Sequence, residues 1–388
     1  MSTRISQRVQ SVPPSGIRRF FDIAATMKDV ISLSIGEPDF VTPDRMRRAA
    51  IQSIEQGYTK YTSNSGTTAL RVALSHHLAK LYGVQYDPEE ELLITVGVSE
   101  ALHCAMLATI DPGDEVIVAE PCFVAYKPSV VFAGGVPVVL DTRVENEFQV
   151  MGAELERLIT PRTRGILIGY PNNPTGAVMT REKLLEVARI AEKYDLIVYS
   201  DEIYDRLVYW MTHVCFSALP ARSVRDRTVL LGGFSKDYAM TGWRVGYVAA
   251  NPEILGAIRK LHQYIIMSAP TMGQVAALEG LLHGEDDVQA MVKSYDQRRQ
   301  TMVAGLNAIG LPTFTPRGAF YAFPDIRATG LSSEDFCEKL LVEEHVAVIP
   351  GDAFGTSGSG YVRICYASSM DNIEEALTRL ERFVKRRQ

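Results

Sequence analysis

The run Leu230-Leu231-Gly232-Gly233-Phe234-Ser235-Lys236 joins an apolar, strand-forming stretch to two glycines and then to a lysine. A lysine that follows a strand in this way is expected at the edge of a sheet, with its amine directed into a cleft. Burial and a cationic neighbour would lower the pKa of that amine and make it a nucleophile toward carbonyl groups. Arg244 is the obvious neighbour, although its planar guanidinium would equally suit a phosphate. Since most lysines face water, this run alone leaves the function of Lys236 open.

The bulk composition is that of an ordinary globular protein. The chain has 388 residues, of which 46% are hydrophobic and 22% charged, enough for two domains and a large core. Its formal net charge is −6 with both signs interspersed, which gives no indication of a nucleic-acid or membrane surface. The N-terminal residues lack the apolar core of a signal peptide, and no apolar run reaches the ~18 residues of a membrane span.

Cysteine and histidine usage indicates a reduced, metal-free protein. The five cysteines are widely scattered and form no Cys-x-x-Cys pair. Reduced thiols in a cytoplasmic protein are therefore the better interpretation. The seven histidines show no metal-site spacing, so we expect no bound metal.

A repeating pattern of apolar runs begins near residue 92, and helical patterns separate several of the runs. One of these patterns covers residues 180–194, with Thr180 as the expected N-cap. The runs cover residues 92–96, 116–119, 136–140, 165–169, 196–199, 228–231 and 245–250. Alternating helices and continuously apolar strands predict an α/β fold with a three-layer, doubly wound, mainly parallel seven-stranded sheet. The last strand follows its predecessor too closely for a helical crossover, so we predict that it runs antiparallel.

Beyond about residue 251 the pattern changes to long helical segments and then to a smaller α+β unit. Residues 272–306 are predicted to form a helix broken near Gly284, and residues 346–349 a strand. We therefore predict an N-terminal arm and segment over residues 1–45 that packs with the small domain, a large domain over residues 46–275, and a small C-terminal domain over residues 276–388.

Polar residues follow five of the predicted strands directly. They are Gly97-Val98-Ser99, Pro121-Cys122-Phe123, Tyr170-Pro171-Asn172-Asn173-Pro174-Thr175-Gly176, Asp201-Glu202-Ile203-Tyr204 and Lys236. In open α/β sheets, ligands bind beyond the carboxyl ends of the strands. Five such groups converging on one rim indicate a binding site.

Each group has a chemical use and a plain structural alternative. Val98-Ser99 at a helix N-terminus would offer N–H groups to a phosphate, or form an ordinary capped turn. Phe123 could stack on a ring or belong to the core. Asp201 needs a cationic partner if it is buried, or it lies in a solvated loop. Asn173 and Tyr204 could donate hydrogen bonds to a phenolate-type oxygen, or they are ordinary polar residues of turns. Pyridoxal 5′-phosphate is a cofactor that requires all of these groups at once.

The chain resembles the class I/II aminotransferases of fold type I, the aspartate aminotransferase-like family, over nearly its whole length. The residues that carry the resemblance are Ser34-Ile35-Gly36-Glu37-Pro38-Asp39-Phe40, Pro171-Asn172-Asn173-Pro174-Thr175-Gly176, Ser200-Asp201-Glu202-Ile203-Tyr204, Phe234-Ser235-Lys236, Gly242-Trp243-Arg244-Val245-Gly246-Tyr247 and Tyr361-Val362-Arg363-Ile364.

This resemblance implies the roles of the residues that do the chemistry. Lys236 would bind pyridoxal 5′-phosphate covalently and, once freed by substrate, act as the general base. Asp201 would hold the proton on the pyridinium nitrogen. Tyr204 and Asn173 would contact the phenolic oxygen, and Phe123 would stack on the cofactor ring.

The resemblance also implies how the phosphate is held. Val98-Ser99 and Arg244 would bind it, with Ser235 as a further contact. Tyr61 would reach the phosphate in a neighbouring subunit, which makes a homodimer with shared active sites the expected assembly. Many relatives carry a phosphate-binding serine three positions before the lysine, whereas this chain has Gly233.

For the substrate, the resemblance implies that Arg363 clamps the α-carboxylate, assisted by Gly36 and Asn173. From the sequence alone, Gly36 is a site of close backbone approach to a ligand or another chain, or a plain turn. The side-chain pocket would draw on Ile17, Phe20, Tyr61, residues 264–271 and Phe320-Tyr321, which core packing explains equally well. A dicarboxylate would need another cation, and the candidates are Arg18, Arg19, Lys127 and Arg317.

The expected function is ping-pong transfer of an amino group from an L-amino acid to a 2-oxo acid, with 2-oxoglutarate as the acceptor. Aspartate, aromatic or aliphatic donors are all compatible, and a biosynthetic role in amino acid metabolism follows. The alternative on the same fold is a carbon–sulfur β-lyase, which shares the cofactor residues. A dehydrogenase is disfavoured because neither Gly-x-Gly-x-x-Gly nor a P-loop occurs.

Overall fold

The computed structural model describes residues 4–14, 27–221 and 223–387. Its strands are β1 (Ile31–Ser32), β2 (Leu92–Thr95), β3 (Glu115–Glu120), β4 (Val136–Asp141), β5 (Thr163–Gly169), β6 (Ile197–Asp201), β7 (Thr228–Gly233), β8 (Gly246–Ala249), β9 (Tyr321–Ala322), β10 (Val346–Ala347), β11 (Ile349–Pro350) and β12 (Val362–Cys365). Helices span Gln7–Ser11, Asp44–Glu55, Thr68–Tyr82, Gly97–Thr109, Tyr126–Ala133, Gly152–Arg157, Arg181–Lys193, Val224–Arg227, Pro252–Ile265, Thr271–His283, Glu285–Ala308, Ser333–Glu344 and Met370–Lys385.

The predicted seven-stranded sheet is confirmed. Its strand order is β2-β8-β7-β6-β5-β3-β4. As predicted, β8 runs antiparallel to β2 and β7, whereas the other neighbouring pairs are parallel. Successive strand residues pack into different cores on the two faces, as Ile166 and Leu167 do. Because both faces are covered, the central strands are mainly apolar, and their charged residues lie at the strand ends.

The helix signals read from the sequence are also confirmed. Thr180 caps the helix Arg181–Lys193, since its hydroxyl accepts a hydrogen bond from the backbone N–H of Lys183. The long helical segment after residue 271 is interrupted at Gly284, as its glycine indicated. These helix termini are therefore set by local interactions, which single residues in the sequence predict.

The C-terminal unit differs from its prediction in one place. The single strand expected over residues 346–349 is two short strands that separate at Val348 and have different partners. β10 pairs in parallel with β1, near the N-terminus, whereas β11 pairs with β12 in a second sheet of order β11-β12-β9. Because each of these strands is only two residues long, the change of pairing partner leaves no signal in the pattern of apolar residues. The domain boundaries stay a prediction.

Two kinds of feature are absent from the described residues. No helix there has both the length and the apolar character needed to cross a bilayer. Among the same residues, no group of three or more His, Cys, Asp or Glu side chains is arranged to hold a metal ion. The five cysteines are all buried and free.

We expect Thr180→Ala to lower the free energy of unfolding by about 1 kcal/mol, because the first turn of its helix loses the hydroxyl acceptor. Urea denaturation measures this loss. Thr180→Ser keeps the acceptor and serves as the control. Equal destabilisation by the two variants would show that the hydroxyl does not cap the helix.

Candidate active site

A cavity of about 380 Å³ opens at the carboxyl ends of the parallel strands. Most of the predicted site residues line it, and they come from strand ends and from two segments distant in the sequence. These residues are Gly36, Val98, Ser99, Phe123, Asn173, Asp201, Tyr204, Ser235, Lys236, Arg244 and Arg363. The structure thus brings together residues as distant in the chain as Gly36 and Arg363.

One predicted site residue that the structure describes does not line this cavity, and another lies outside the described residues. Ile17 lies outside the described residues, as do Phe20 and the candidate cations Arg18 and Arg19. Tyr61 is 80% exposed and borders a separate surface groove. Within one chain Tyr61 therefore contributes nothing to the cavity, and its predicted role depends on a second subunit.

Lys236 lies at the floor of the cavity, directly after β7. Its Nζ donates a hydrogen bond to the backbone oxygen of Gly36 at 2.7 Å, and the rings of Tyr204 and Phe320 lie within 6 Å of it, at 5.7 and 5.8 Å. Burial lowers the pKa of Lys236 to about 8, and the positive charges of Arg363 and Arg244 act in the same direction. The amine is therefore far more available as a nucleophile or base than that of an exposed lysine.

Asp201 ends β6 and is buried on the same side of the sheet. Its carboxylate accepts hydrogen bonds from the Tyr126 hydroxyl at 2.8 Å and from the backbone N–H of Ile203 at 3.2 Å. Burial raises the pKa of Asp201 to about 6, although these two hydrogen bonds oppose the rise. A carboxylate in this state suits a partner that carries a proton and a positive charge.

The hydroxyls of Tyr204 and Tyr321 lie 2.7 Å apart at the cavity wall. Gly36 packs against this pair, because a Cβ built on Gly36 would lie 2.3 Å from the Tyr321 hydroxyl oxygen. The close approach suggested by this glycine is therefore made to a side chain of the same chain. A larger residue here would displace Tyr321 and disturb the Gly36 oxygen that accepts from Lys236.

Arg363 lies in β12 and reaches the cavity from the C-terminal unit. Its guanidinium donates to Asn173 Oδ1 at 3.0 Å and to the backbone oxygen of Ser34 at 2.5 Å. The residue is 4% exposed, and its Nε has no hydrogen-bond partner within the described part of the chain. A buried guanidinium with an unused donor is an incomplete site for an anion.

The residues predicted to hold a phosphate lie at the start of the helix Gly97–Thr109. Gly97 has φ +72°, and a Cβ there would lie 2.5 Å from an Arg244 guanidinium nitrogen. Glycine is therefore required for Arg244 to approach the helix N-terminus that includes Val98-Ser99. Ser235 is buried and faces the same cavity.

Gly233 is crowded by the neighbouring strand. A Cβ on Gly233 would lie 3.0 Å from Gly246 Cα and 3.1 Å from the backbone oxygen of Val245. The serine that many relatives carry at this position would need the two strands to separate slightly. Glycine therefore fits the close β7–β8 contact, and the hydroxyl available in this region is that of Ser235.

The two described candidates for an additional substrate cation are already paired. Lys127 contacts the carboxylate of the buried Glu120, and Arg317 lies 2.9 Å from Glu147. Neither lines the cavity. Among the described residues, the cations that line it are Lys236, Arg244 and Arg363.

Several residues that line this cavity were not singled out from the sequence, among them Tyr126, Glu37 and Thr241. Tyr126 holds Asp201, and its only sequence signal is its place three residues after Phe123. Glu37 and Thr241 meet at the cavity wall, where the Thr241 hydroxyl donates to Glu37 at 3.2 Å. Glu37 lies in a recognised motif and Thr241 directly precedes one, yet the motifs do not reveal which residue faces inward.

Taken together, the α/β sheet and a cavity lined by a buried lysine and a buried arginine are suited to an aldehyde cofactor and an anionic substrate. The model of the family "Aminotransferase class I and II" matches residues 28–380, so the chain belongs to that family.

Individual relatives match over almost the whole chain. An aspartate aminotransferase of Pyrococcus abyssi is 43% identical, with 98% of both chains covered. Aromatic-amino-acid aminotransferase 2 of Thermococcus litoralis is 40% identical, also over 98% of each. The solved structure of aspartate aminotransferase from Thermus thermophilus with maleate superposes with a TM-score of 0.93 at 37% identity, covering 98% of this chain and 100% of that one. This protein is accordingly a pyridoxal-phosphate-dependent aminotransferase of fold type I.

The residues present fit that cofactor. Lys236 can attach to the aldehyde, Asp201 can pair with the ring nitrogen, and Arg244 lies at a helix N-terminus suited to the phosphate. Phe123 lines the same cavity and offers a ring face. These assignments to individual residues remain predictions.

We expect the rate at which cofactor-free enzyme incorporates pyridoxal 5′-phosphate to rise with pH and to level off near pH 8. Below the lowered pKa of Lys236 the amine is protonated, so the rate should change about tenfold per pH unit. Absorbance and borohydride trapping follow the reaction, and Lys236→Ala, which has no amine to trap, is the control. A rate that continues to climb toward pH 10.5 would show that burial does not activate this lysine.

Proposed function

We propose that this enzyme catalyses reversible ping-pong transfer of an amino group from an L-amino acid to a 2-oxo acid, with 2-oxoglutarate as the acceptor. The observation that carries the proposal is the buried guanidinium of Arg363 with its unused Nε donor. An α-carboxylate, common to both substrates, would complete its hydrogen bonding. The neighbouring Lys236 supports a reaction at the adjacent α-carbon.

The residues would divide the work between binding and proton transfer. Arg363, held in place by Asn173 and by the Ser34 oxygen, would orient the substrate through its carboxylate. The amine of Lys236, once freed, would take the α-proton and return it at a neighbouring carbon. Asp201 would keep the proton on the ring nitrogen.

When bound, pyridoxal 5′-phosphate supplies a carbon that accepts the amino group and a ring that withdraws electrons. The donor would leave as a 2-oxo acid before the acceptor binds at the same arginine. One carboxylate site therefore serves both half-reactions, which is why the kinetics would be ping-pong.

A homodimer is part of this proposal. Tyr61 is 80% exposed and Tyr264 is 84% exposed, and large exposed apolar side chains are typical of an interface. The segments that carry them are joined, because the Thr271 hydroxyl donates to the Lys60 backbone oxygen at 2.8 Å. A second copy seated there would bring Tyr61 toward the phosphate end of its partner's cavity. A cytoplasmic location and a biosynthetic role stay predictions.

A carbon–sulfur β-lyase on the same fold is the alternative, and it is not favoured. The relatives described above are named for transamination of aspartate or aromatic amino acids. A lyase would also use a buried lysine and an arginine clamp, so the decisive difference lies in the products.

Incubation with a panel of aspartate, aromatic and aliphatic L-amino acids and 2-oxoglutarate should give glutamate in equal amount to the 2-oxo acid of an accepted donor. Mass spectrometry measures both products, and the D-enantiomers serve as controls. Pyruvate and ammonia from a cysteine conjugate, without any glutamate, would favour the lyase instead.

Replacing Arg363 by lysine should raise KM for donor and acceptor alike by about 10- to 100-fold, because one ammonium cannot make the paired hydrogen bonds of a guanidinium. Arg317→Lys, at a residue paired with Glu147 outside the cavity, is the matched control. Initial-rate kinetics in both half-reactions would test this. An unchanged KM in Arg363→Lys would remove the arginine from the carboxylate site.

A further inference from the structure

A second charged cluster lies behind the cavity, on the opposite face of β6. The carboxylate of Glu202 accepts hydrogen bonds from the Ser200 hydroxyl at 2.8 Å and from the backbone N–H of Phe216 at 2.9 Å. Its other oxygen lies 2.6 Å from His213 Nε2. Glu202 is 4% exposed and His213 is 8% exposed, so this pair is almost completely removed from water.

Glu202 follows Asp201 directly, and the two carboxylates lie on opposite sides of the sheet. Asp201 faces the cavity, whereas Glu202 and Ser200 border a small pocket on the other face. The backbone N–H of Glu202 donates to the Leu231 oxygen in β7, the strand that leads to Lys236. Glu202 therefore joins β6 to β7 through its backbone N–H and holds the Phe216 segment through its carboxylate, next to the strand ends that lead to Asp201 and Lys236.

Electrostatic interactions link His213 on one face of the sheet to Asp201 on the other, through Glu202. His213 faces Glu202 and Asp205, and the ring of Tyr82 packs against it at 5.5 Å. Burial alone would lower the pKa of His213, but the two carboxylates raise it above the ordinary value. A protonated His213 thus balances the Glu202 charge. This balance matters because Glu202 raises the pKa of Asp201.

Asp201 itself is faced by Tyr126 and Lys236 on the cavity side. The Tyr126 hydrogen bond and the lysine charge both favour its ionised form, whereas burial and Glu202 favour protonation. If Glu202 were buried without a compensating positive charge, it would further favour protonation of Asp201.

We propose that Glu202 and His213 form a positioning pair, in which Glu202 fixes the end of β6 and His213 balances the Glu202 charge, so that Asp201 stays ionised and can hold the cofactor's ring nitrogen. This inference rests on the role proposed for Asp201. Neither member of the pair touches the cavity, so both act through Asp201.

The test is cofactor retention by the full-length holoenzyme as a function of pH, measured by equilibrium dialysis against limiting pyridoxal 5′-phosphate. Retention should fall as pH drops through the Asp201 pKa. His213→Gln leaves Glu202 uncompensated and should move the midpoint up, on the order of half a pH unit. Glu202→Gln should move it down by a similar amount, and the double variant should return it close to the wild-type midpoint.

His77→Gln is the matched control. Burial and Arg206 lower the pKa of His77 to about 4, so this substitution removes a ring but no charge at neutral pH, and the midpoint should not move. If His213→Gln does not fold, Glu202→Gln alone still tests the proposal, since an unchanged or raised midpoint would overturn it. Equal midpoints in wild type and His213→Gln, or a shift that the double variant keeps, would also overturn it.

Asp201→Asn separates this inference from the proposed role of Asp201. If Asp201→Asn weakens retention and flattens its pH dependence while the Glu202 and His213 variants match wild type, Asp201 keeps its role and the positioning pair is wrong. If Asp201→Asn retains the cofactor with the wild-type profile, the proposed role of Asp201 fails, and the pair fails with it.

Discussion

The site depends on removing the Lys236 amine from water. A lysine in contact with solvent holds its proton at neutral pH and neither attacks an aldehyde nor accepts a proton from carbon. Here the amine is buried, with Arg363 and Arg244 as positive neighbours, so both desolvation and charge repulsion penalise its protonated form. The other cavity residues provide carboxylates, hydrogen-bond acceptors and anion-binding groups at fixed distances from this buried amine.

The sheet supplies those distances. Parallel strands end at one rim, so Asp201, which pairs with Leu231 of β7, lies on the same rim as Lys236 without any direct bond between them. The antiparallel pairing of β8 with β2 places Arg244, just before β8, against Gly97, just after β2. Backbone pairing therefore brings the lysine, the carboxylate and Arg244 to one rim, and side-chain contacts refine their orientation.

Much of this architecture could be predicted from the sequence. Continuous apolar runs predicted the seven strands. Thr180 predicted the start of one helix, and Gly284 predicted the break in another. Most of the candidate site residues followed from their places after strands and from family motifs. Tyr126 could not be found in this way, because its contact with Asp201 depends on how a helix lies across the sheet. The change of strand partner at Val348 was hidden for a similar reason, since it reflects tertiary pairing and not a local preference.

The N-terminal segment after β1 has a further consequence. The Ser34 oxygen accepts from Arg363, and two residues later the Gly36 oxygen accepts from Lys236. One short piece of main chain thus contacts both Arg363 and the Lys236 amine. Because β1 is paired with β10, a shift of the C-terminal unit would carry both oxygens with it. Lys236 follows β7 of the large sheet, so such a shift would change the distance between its amine and Arg363, and the reach between these two groups depends on how the C-terminal unit packs on the large sheet.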